Sequence, residues 1–273
     1  MHVYPVKGCG GIAVARADVH VTGLSAAGIH DREWMVVDDH AAFVTQRELP
    51  RLAQVATTIV DGALQLSAPD TGTMILAPQE SASFAHEATV WRSRVRAFDA
   101  GDTAARWISA FLHKQVRLVH FDRSKARICN PDYAGDSGAH TMFADGYPML
   151  VIGQASLDDL NARLAGKGER PLPMNRFRPN IVVEGLPAYE EDLIDTLECD
   201  GIALRMVKPC TRCKVTTTDQ ASGRVGVEPL HTLSTYRRDD ALAAVTFGMN
   251  AIVIAGAGRS LLVGQAARVE YRF

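Results

Sequence analysis

No apolar run in this chain approaches the roughly 18–20 residues that a bilayer-spanning helix requires. The N-terminus, Met1-His2-Val3-Tyr4-Pro5-Val6-Lys7, also lacks the apolar core of a signal peptide. A surplus of charge of one sign is missing too: the formal net charge is −2. That excludes the broad basic field expected of a nucleic-acid or acidic-membrane binder. The cysteines (Cys9, Cys129, Cys199, Cys210, Cys213) number five, odd and scattered, which is no disulfide framework. No membrane partner, no nucleic-acid partner and a reducing cytoplasm are the expectations. Internal repeats, low-complexity tracts and flexible linkers are absent as well. The glycines of Gly8-Cys9-Gly10-Gly11 and Gly256-Ala257-Gly258 fit neither a dinucleotide fingerprint nor a phosphate-binding P-loop.

What is present is an ordinary globular composition, 47% apolar and 22% charged over 273 residues, enough for two modest domains. Short runs rich in Val, Thr and Ile, broken by Gly, Pro and Asp, predict strands over 12–14, 18–21, 34–38, 53–60, 64–66 and 74–76. Asp102-Thr103 can cap a helix running to about residue 114, in which Ala105, Ile108 and Leu112 share a face. A strand over 116–120 and a long loop over 127–145 follow. Next come a strand over 149–152 and a helix capped by Ser156 and running to about 164. Further strands are predicted over 180–183, 202–207, 215–218, 251–254 and 267–271. The chain therefore reads as mainly β (α+β), with an N-terminal β-barrel-like module over 1–95 and a mixed β module with few helices over 96–273.

The most informative stretch is Lys208-Pro209-Cys210-Thr211-Arg212-Cys213-Lys214, followed by Val215-Thr216-Thr217-Thr218. Cations beside a thiol favour the thiolate, the form that ligates soft metals and attacks substrates. A zinc knuckle would need a second ligand pair of suitable spacing, and only His231 stands downstream. A thioredoxin-type pair should open a helix, yet the residues that follow are β-branched. Haem attachment needs His where Lys214 stands. Two readings stay open: incidental cysteines beside a strand, or one thiolate ligand among cations. Pro209 should end the preceding strand and place the pair on a turn. The opposite parity of Cys210 and Cys213 predicts that one thiol, not both, faces a site.

The surrounding blocks resemble the MOSC domain with its N-terminal β-barrel partner, as in the amidoxime-reducing components and their bacterial counterparts. Tyr4-Pro5-Val6-Lys7, then Gly28-Ile29-His30-Asp31-Arg32-Glu33-Trp34, then Thr45-Gln46-Arg47 are similar to the barrel signature. Ala144-Asp145-Gly146-Tyr147-Pro148, Arg176-Phe177-Arg178-Pro179-Asn180, the cysteine segment and Phe247-Gly248-Met249-Asn250 resemble the core, in the family's order. The resemblance covers almost the whole chain and implies a mixed β-barrel of the MOSC type as the second module. It also implies a pyranopterin molybdenum cofactor with Cys213 as the protein's metal ligand. The matching cofactor-holding positions are Lys7, Arg32, Arg178, Asn180 and Thr211, with Arg212 beside them. Asp145 is a weaker match, followed by Gly146. Gly8 stands where the family often has Ser; it loses a hydroxyl and keeps a backbone N–H for a phosphate.

The activity implied is reduction of N-hydroxylated substrates (amidoximes, hydroxylamines, N-hydroxylated bases), with N–O cleavage and water as a product. The remaining cysteines cannot build a plant-type iron–sulfur cluster, and Phe273 follows the last predicted strand closely. A separate ferredoxin-, flavin- or haem-type electron donor is therefore expected. The resemblance leaves an alternative, in which Cys213 or Cys210 carries a persulfide for sulfur transfer or cofactor handling.

Overall fold

The structure is a computed structural model describing residues 1–76 and 85–272. It is mainly β, with four α-helices among the described residues. An N-terminal barrel domain is followed by a sheet curled into a half-barrel. The barrel combines an antiparallel sheet of Ala56–Val60, Ala63–Ala68 and Gly72–Leu76 with a five-stranded sheet. The order of the latter is Ala85–Val90, Ser93–Asp99, Arg117–Phe121, Trp34–Val37 and Val6–Lys7. The helix Asp102–Leu112 closes it, burying Trp107, Ile108, Phe111 and Leu112 against Leu52, Leu64 and Leu66. The second sheet runs Ile181–Val183, Met149–Gly153, Ala244–Ala255, Ile202–Thr211, Ile194–Cys199 and Arg268–Tyr271, with Arg238–Asp239 paired to the long central strand. The first thirty residues belong partly to this half. Val3, Ala17, Val19 and Leu24 pack with Met149, Val151, Leu204 and Met249, and Arg16–His20 pairs with Ser260–Leu262.

Several expected elements differ in detail. The run over 53–60 begins with a 3-10 turn, Pro50–Gln54, because Pro50 fixes the first position and Leu52 and Ala53 turn inward; the strand starts at Ala56. Neither expected cap side chain is a cap. Gly101 precedes the first helix, and Asp102 instead accepts from Arg117 Nη2 at 2.8 Å. The helix Gln154–Ala165 begins after Gly153, so Ser156 lies inside it. There its hydroxyl donates to Glu191 Oε2 at 2.7 Å, while Glu191 Oε1 accepts the Gly153 N–H. A Cβ at residue 153 would lie 2.8 Å from the Glu191 carboxylate, which would have to shift to admit it. The segment 127–145 is not a bare loop: it holds Arg127–Ile128 paired with His140–Thr141, and the one-turn helix Pro131–Ala134.

Candidate functional site

The cysteine segment departs from expectation in a way that shapes the site. Pro209 does not end its strand; Ile202–Thr211 continues through it, because register shifts on both sides spare its missing N–H. After Thr211 the chain leaves the sheet, and Lys214–Thr217 forms a 3-10 turn, not a strand, with Cys213 as its extended cap. Strand alternation therefore does not reach Cys213, and both thiols border the same cleft.

That cleft lies between the barrel and the second sheet and encloses about 960 Å³, including its open mouth. Cys213 and every cofactor-holding position named from the resemblance border it: Lys7, Gly8, Arg32, Asp145, Gly146, Arg178, Asn180, Thr211 and Arg212. Lys208 and Lys214 do not; the Lys208 ammonium sits 4.3 Å over the Tyr133 ring, and Lys214 is exposed. Five cations (Lys7, Arg32, Arg47, Arg178, Arg212) face one carboxylate, Asp145.

Two of these cations are held in left-handed backbone, Arg32 at φ +47° and Arg178 at φ +59°. Such conformations cost side-chain-bearing residues about 1–2 kcal/mol and persist only where the surroundings fix them. The fixing is visible. Each guanidinium lies 4.4 Å from the centroid of the buried Tyr4 ring. Arg32 Nη1 donates to the buried Asp31 Oδ2 at 2.5 Å and to Asn180 Oδ1 at 3.1 Å. Burial works against the Arg32 charge, but Asp31 outweighs it and holds the group above the usual arginine range. Arg178 Nη1 donates to the Cys9 carbonyl at 2.5 Å, while its Nη2 is buried with no partner. Burial, reinforced by Arg32, pushes Arg178 down to about 10. Asn180 borders the cleft and is tied into its wall. It is 1% exposed, and its amide is occupied by Arg32, Asp31, His2 and the Leu150 N–H. It positions Arg32.

Lys7 Nζ, which also borders the cleft, donates to Asp145 Oδ1 at 2.5 Å and to the Phe143 carbonyl at 2.8 Å. Trp91 Nε1 donates to the same Oδ1 at 2.9 Å. Crowding in the cleft opposes ionisation of Asp145, but the Lys7 ammonium outweighs it and holds the carboxyl well below the usual range. Arg127, buried, donates to the carbonyls of Met142, Ala144 and Asp145, each at 2.7 Å, and so shapes the segment that presents this carboxylate. Gly8 adopts φ +84°, a conformation suited to glycine, and its carbonyl accepts from Gln46 at 2.6 Å. Arg212 donates to Cys210 Sγ at 2.9 Å and to the Phe177 carbonyl at 2.7 Å, and its Nε is buried without a partner. The half-buried Cys213 Sγ takes no hydrogen bond among the described residues. Thr211 is exposed, and a Cβ added at Gly146 would meet nothing within 4 Å. The other cysteines are buried; burial pushes Cys9 up to about 12 and Cys129 up to about 11.

Tyr4, Trp91 and Arg127 are structural participants that the sequence reading did not assign. Tyr4 opens the Lys7 block in sequence; Trp91, on a hairpin turn, and Arg127, on a short strand, come from distant positions with no local signal. Chemically, the cleft suits an anion able to accept from guanidinium groups. No cluster of three or more His, Cys, Asp or Glu among the described residues can hold a metal unaided. A metal beside Cys213 would therefore have to bring most of its own ligands. That donor set, with the unpartnered Arg178 Nη2 and Arg212 Nε, fits an anionic metal-carrying cofactor.

Residues 1–115 match the MOSC N-terminal beta barrel domain and residues 138–268 the MOSC domain. The mitochondrial amidoxime reducing component 2 of Bos taurus is 35% identical over 243 residues, 87% of this chain and 71% of that protein. Component 2 of Rattus norvegicus is 36% identical over 245 residues, with the same shares covered, 87% and 71%. Component 1 of Homo sapiens is 36% identical over 244 residues, again 87% and 71%. No helix among the described residues is long and apolar enough to cross a membrane.

Proposed function

Because the chain belongs to the MOSC proteins with an N-terminal MOSC beta barrel, the family of the mitochondrial amidoxime-reducing components, we propose that it reduces N-hydroxylated compounds with a molybdenum cofactor. The observation that carries this reading is the cleft itself, which five cations and a single carboxylate line together with Cys213. Cys213 supplies the soft thiolate ligand. Lys7, Arg32 and Arg178 neutralise the cofactor's phosphate, with the planar guanidinium donors adding direction. The Gly8 and Gly146 backbones and the Thr211 hydroxyl line the same cradle, and Arg212 fixes the strand end that leads to Cys213. When bound, the cofactor supplies two-electron reduction of the N–O bond. For an amidoxime the balance is two electrons and two protons in, amidine and water out. The three buried cysteines and the cleft pair leave none for an iron–sulfur cluster. We assign the electrons to a separate ferredoxin-, flavin- or haem-type protein, and the chain to a reducing compartment such as the cytoplasm, where its five cysteines stay free.

The test is metal analysis of wild type beside Cys213→Ala from a host that makes the cofactor, followed by turnover of an amidoxime with a chemically reduced viologen. About one molybdenum per wild-type chain is expected, lost in the variant at unchanged melting temperature, with amidine formed only by the wild type. Zinc or no metal in the wild type would overturn the reading. Thiocyanate released by cyanide, without turnover, would favour a persulfide carrier.

A further inference from the structure

The one carboxylate in the cleft is out of place for a cradle that binds only an anion. A like charge there opposes a phosphate, yet Asp145 is kept ionised and well displayed. Its side chain is 75% exposed at the mouth, whereas Lys7, which it pairs with, is 11% exposed. Both of its donors, Lys7 Nζ and Trp91 Nε1, bind Oδ1. Oδ2 takes no hydrogen bond among the described residues and is left as an acceptor beside the opening. Two aromatic rings adjoin it, and Lys7 Nζ lies 5.5 Å from the Phe43 centroid. The Phe43 and Trp91 rings lie 4.8 Å apart, and the Arg47 guanidinium lies 4.7 Å from the Trp91 centroid.

We infer that Asp145 is the recognition site for the N–H face of the substrate: a planar, N–H-rich head group of the amidine, amidoxime or guanidine kind, its attached ring against Trp91 and Phe43. A carboxylate oxygen accepts from such a group with charge-assisted strength when the group is cationic. The surplus cations of the cleft would repel that cation, but an anionic cofactor offsets them and leaves the free Oδ2 of Asp145 as the acceptor at the mouth. The product amidine is a far stronger base than the amidoxime, so the same carboxylate makes the product a competitive inhibitor. This assignment deepens the reductase reading and rests on it for the identity of the substrate, while the binding itself needs no turnover.

The probe is benzamidine against its neutral isostere benzamide, measured by calorimetry on molybdenum-loaded wild type and Asp145→Asn. Wild type should favour the amidinium, and the variant should lose about tenfold of that selectivity while retaining benzamide binding and molybdenum. A structural collapse would weaken both probes together, so their ratio isolates the carboxylate. Equal selectivity in the two proteins, or none in the wild type, would overturn the proposal. Loss of molybdenum from Asp145→Asn would overturn it as well, by making the residue a support for the cofactor. Selectivity that follows Asp145 in a protein unable to reduce amidoximes would leave the amidinium site standing and remove the reductase reading instead.

Discussion

His30 shows how far burial moves a single side chain in this protein. Its Nδ1 is buried without a partner, and its ring lies 4.4 Å from that of His20. Burial, with Arg123 adding to it, pushes the imidazole down to about 4; Glu33 opposes this, while His20 and His120 add to it. Below the ordinary histidine range the unfolded chain takes up a proton that the folded protein refuses. Stability is then complete above about pH 6.5 and falls as the pH drops toward about 4. Between about pH 7 and 4.5 this one group should remove about 2 kcal/mol. Urea unfolding at those two pH values, for wild type and His30→Asn, should show that much less acid sensitivity in the variant. Equal acid sensitivity would show that the ring is protonated freely in the folded state.

At the scale of elements, the segment 142–145 depends on one side chain from a neighbouring strand. Arg127 reaches it with three short hydrogen bonds to carbonyls. Arg127→Met keeps the stem and orphans those carbonyls, so a loss of about 3 kcal/mol is expected in thermal unfolding, with faster amide exchange over 142–146. Unchanged exchange there would mean that the segment is held by its own packing. Nothing in the sequence marks this dependence, since the donor lies fifteen to eighteen residues away and its type is common on surfaces. The helix Asp102–Leu112, by contrast, was legible from its apolar spacing alone. The turn at Lys214–Thr217 was not, because β-branched residues usually signal strand. Here threonine hydroxyls tip the balance: Thr216 Oγ1 donates to the Cys213 carbonyl at 2.9 Å and Thr217 Oγ1 to that of Lys214 at 2.8 Å, local bonds that compete with a sheet. The site followed the same division. Residues inside contiguous blocks, such as Lys7, Arg32 and Cys213, could be picked out together. The Trp91 indole, delivered by a hairpin turn, could not.

At the scale of the whole molecule, the cleft is shared, and so is the core beneath it. Lys7 and Arg32 come from the N-terminal part, while Arg178, Arg212 and Cys213 come from the other. The sharing extends below the surface. Leu24 is fully buried among Met149, Val151 and Leu204, and the His2 N–H donates to the Asn180 carbonyl at 2.8 Å. A chain starting at residue 96 would lose the strand that pairs with Ser260–Leu262 and would bare the apolar face that Val19 and Leu24 cover. Residues 96–273 alone should therefore show no cooperative melt. In the full chain Leu24→Ala should cost about 3 kcal/mol as one transition. Coincidence is easy to read in the full chain: all three tryptophans, Trp34, Trp91 and Trp107, lie in the barrel, which extends through Arg117–Phe121, so their fluorescence reports on it, while circular dichroism reports on both halves. A fragment that melts cooperatively near the full chain's temperature, or a variant whose fluorescence and dichroism separate, would show two independent domains that merely meet at the cleft.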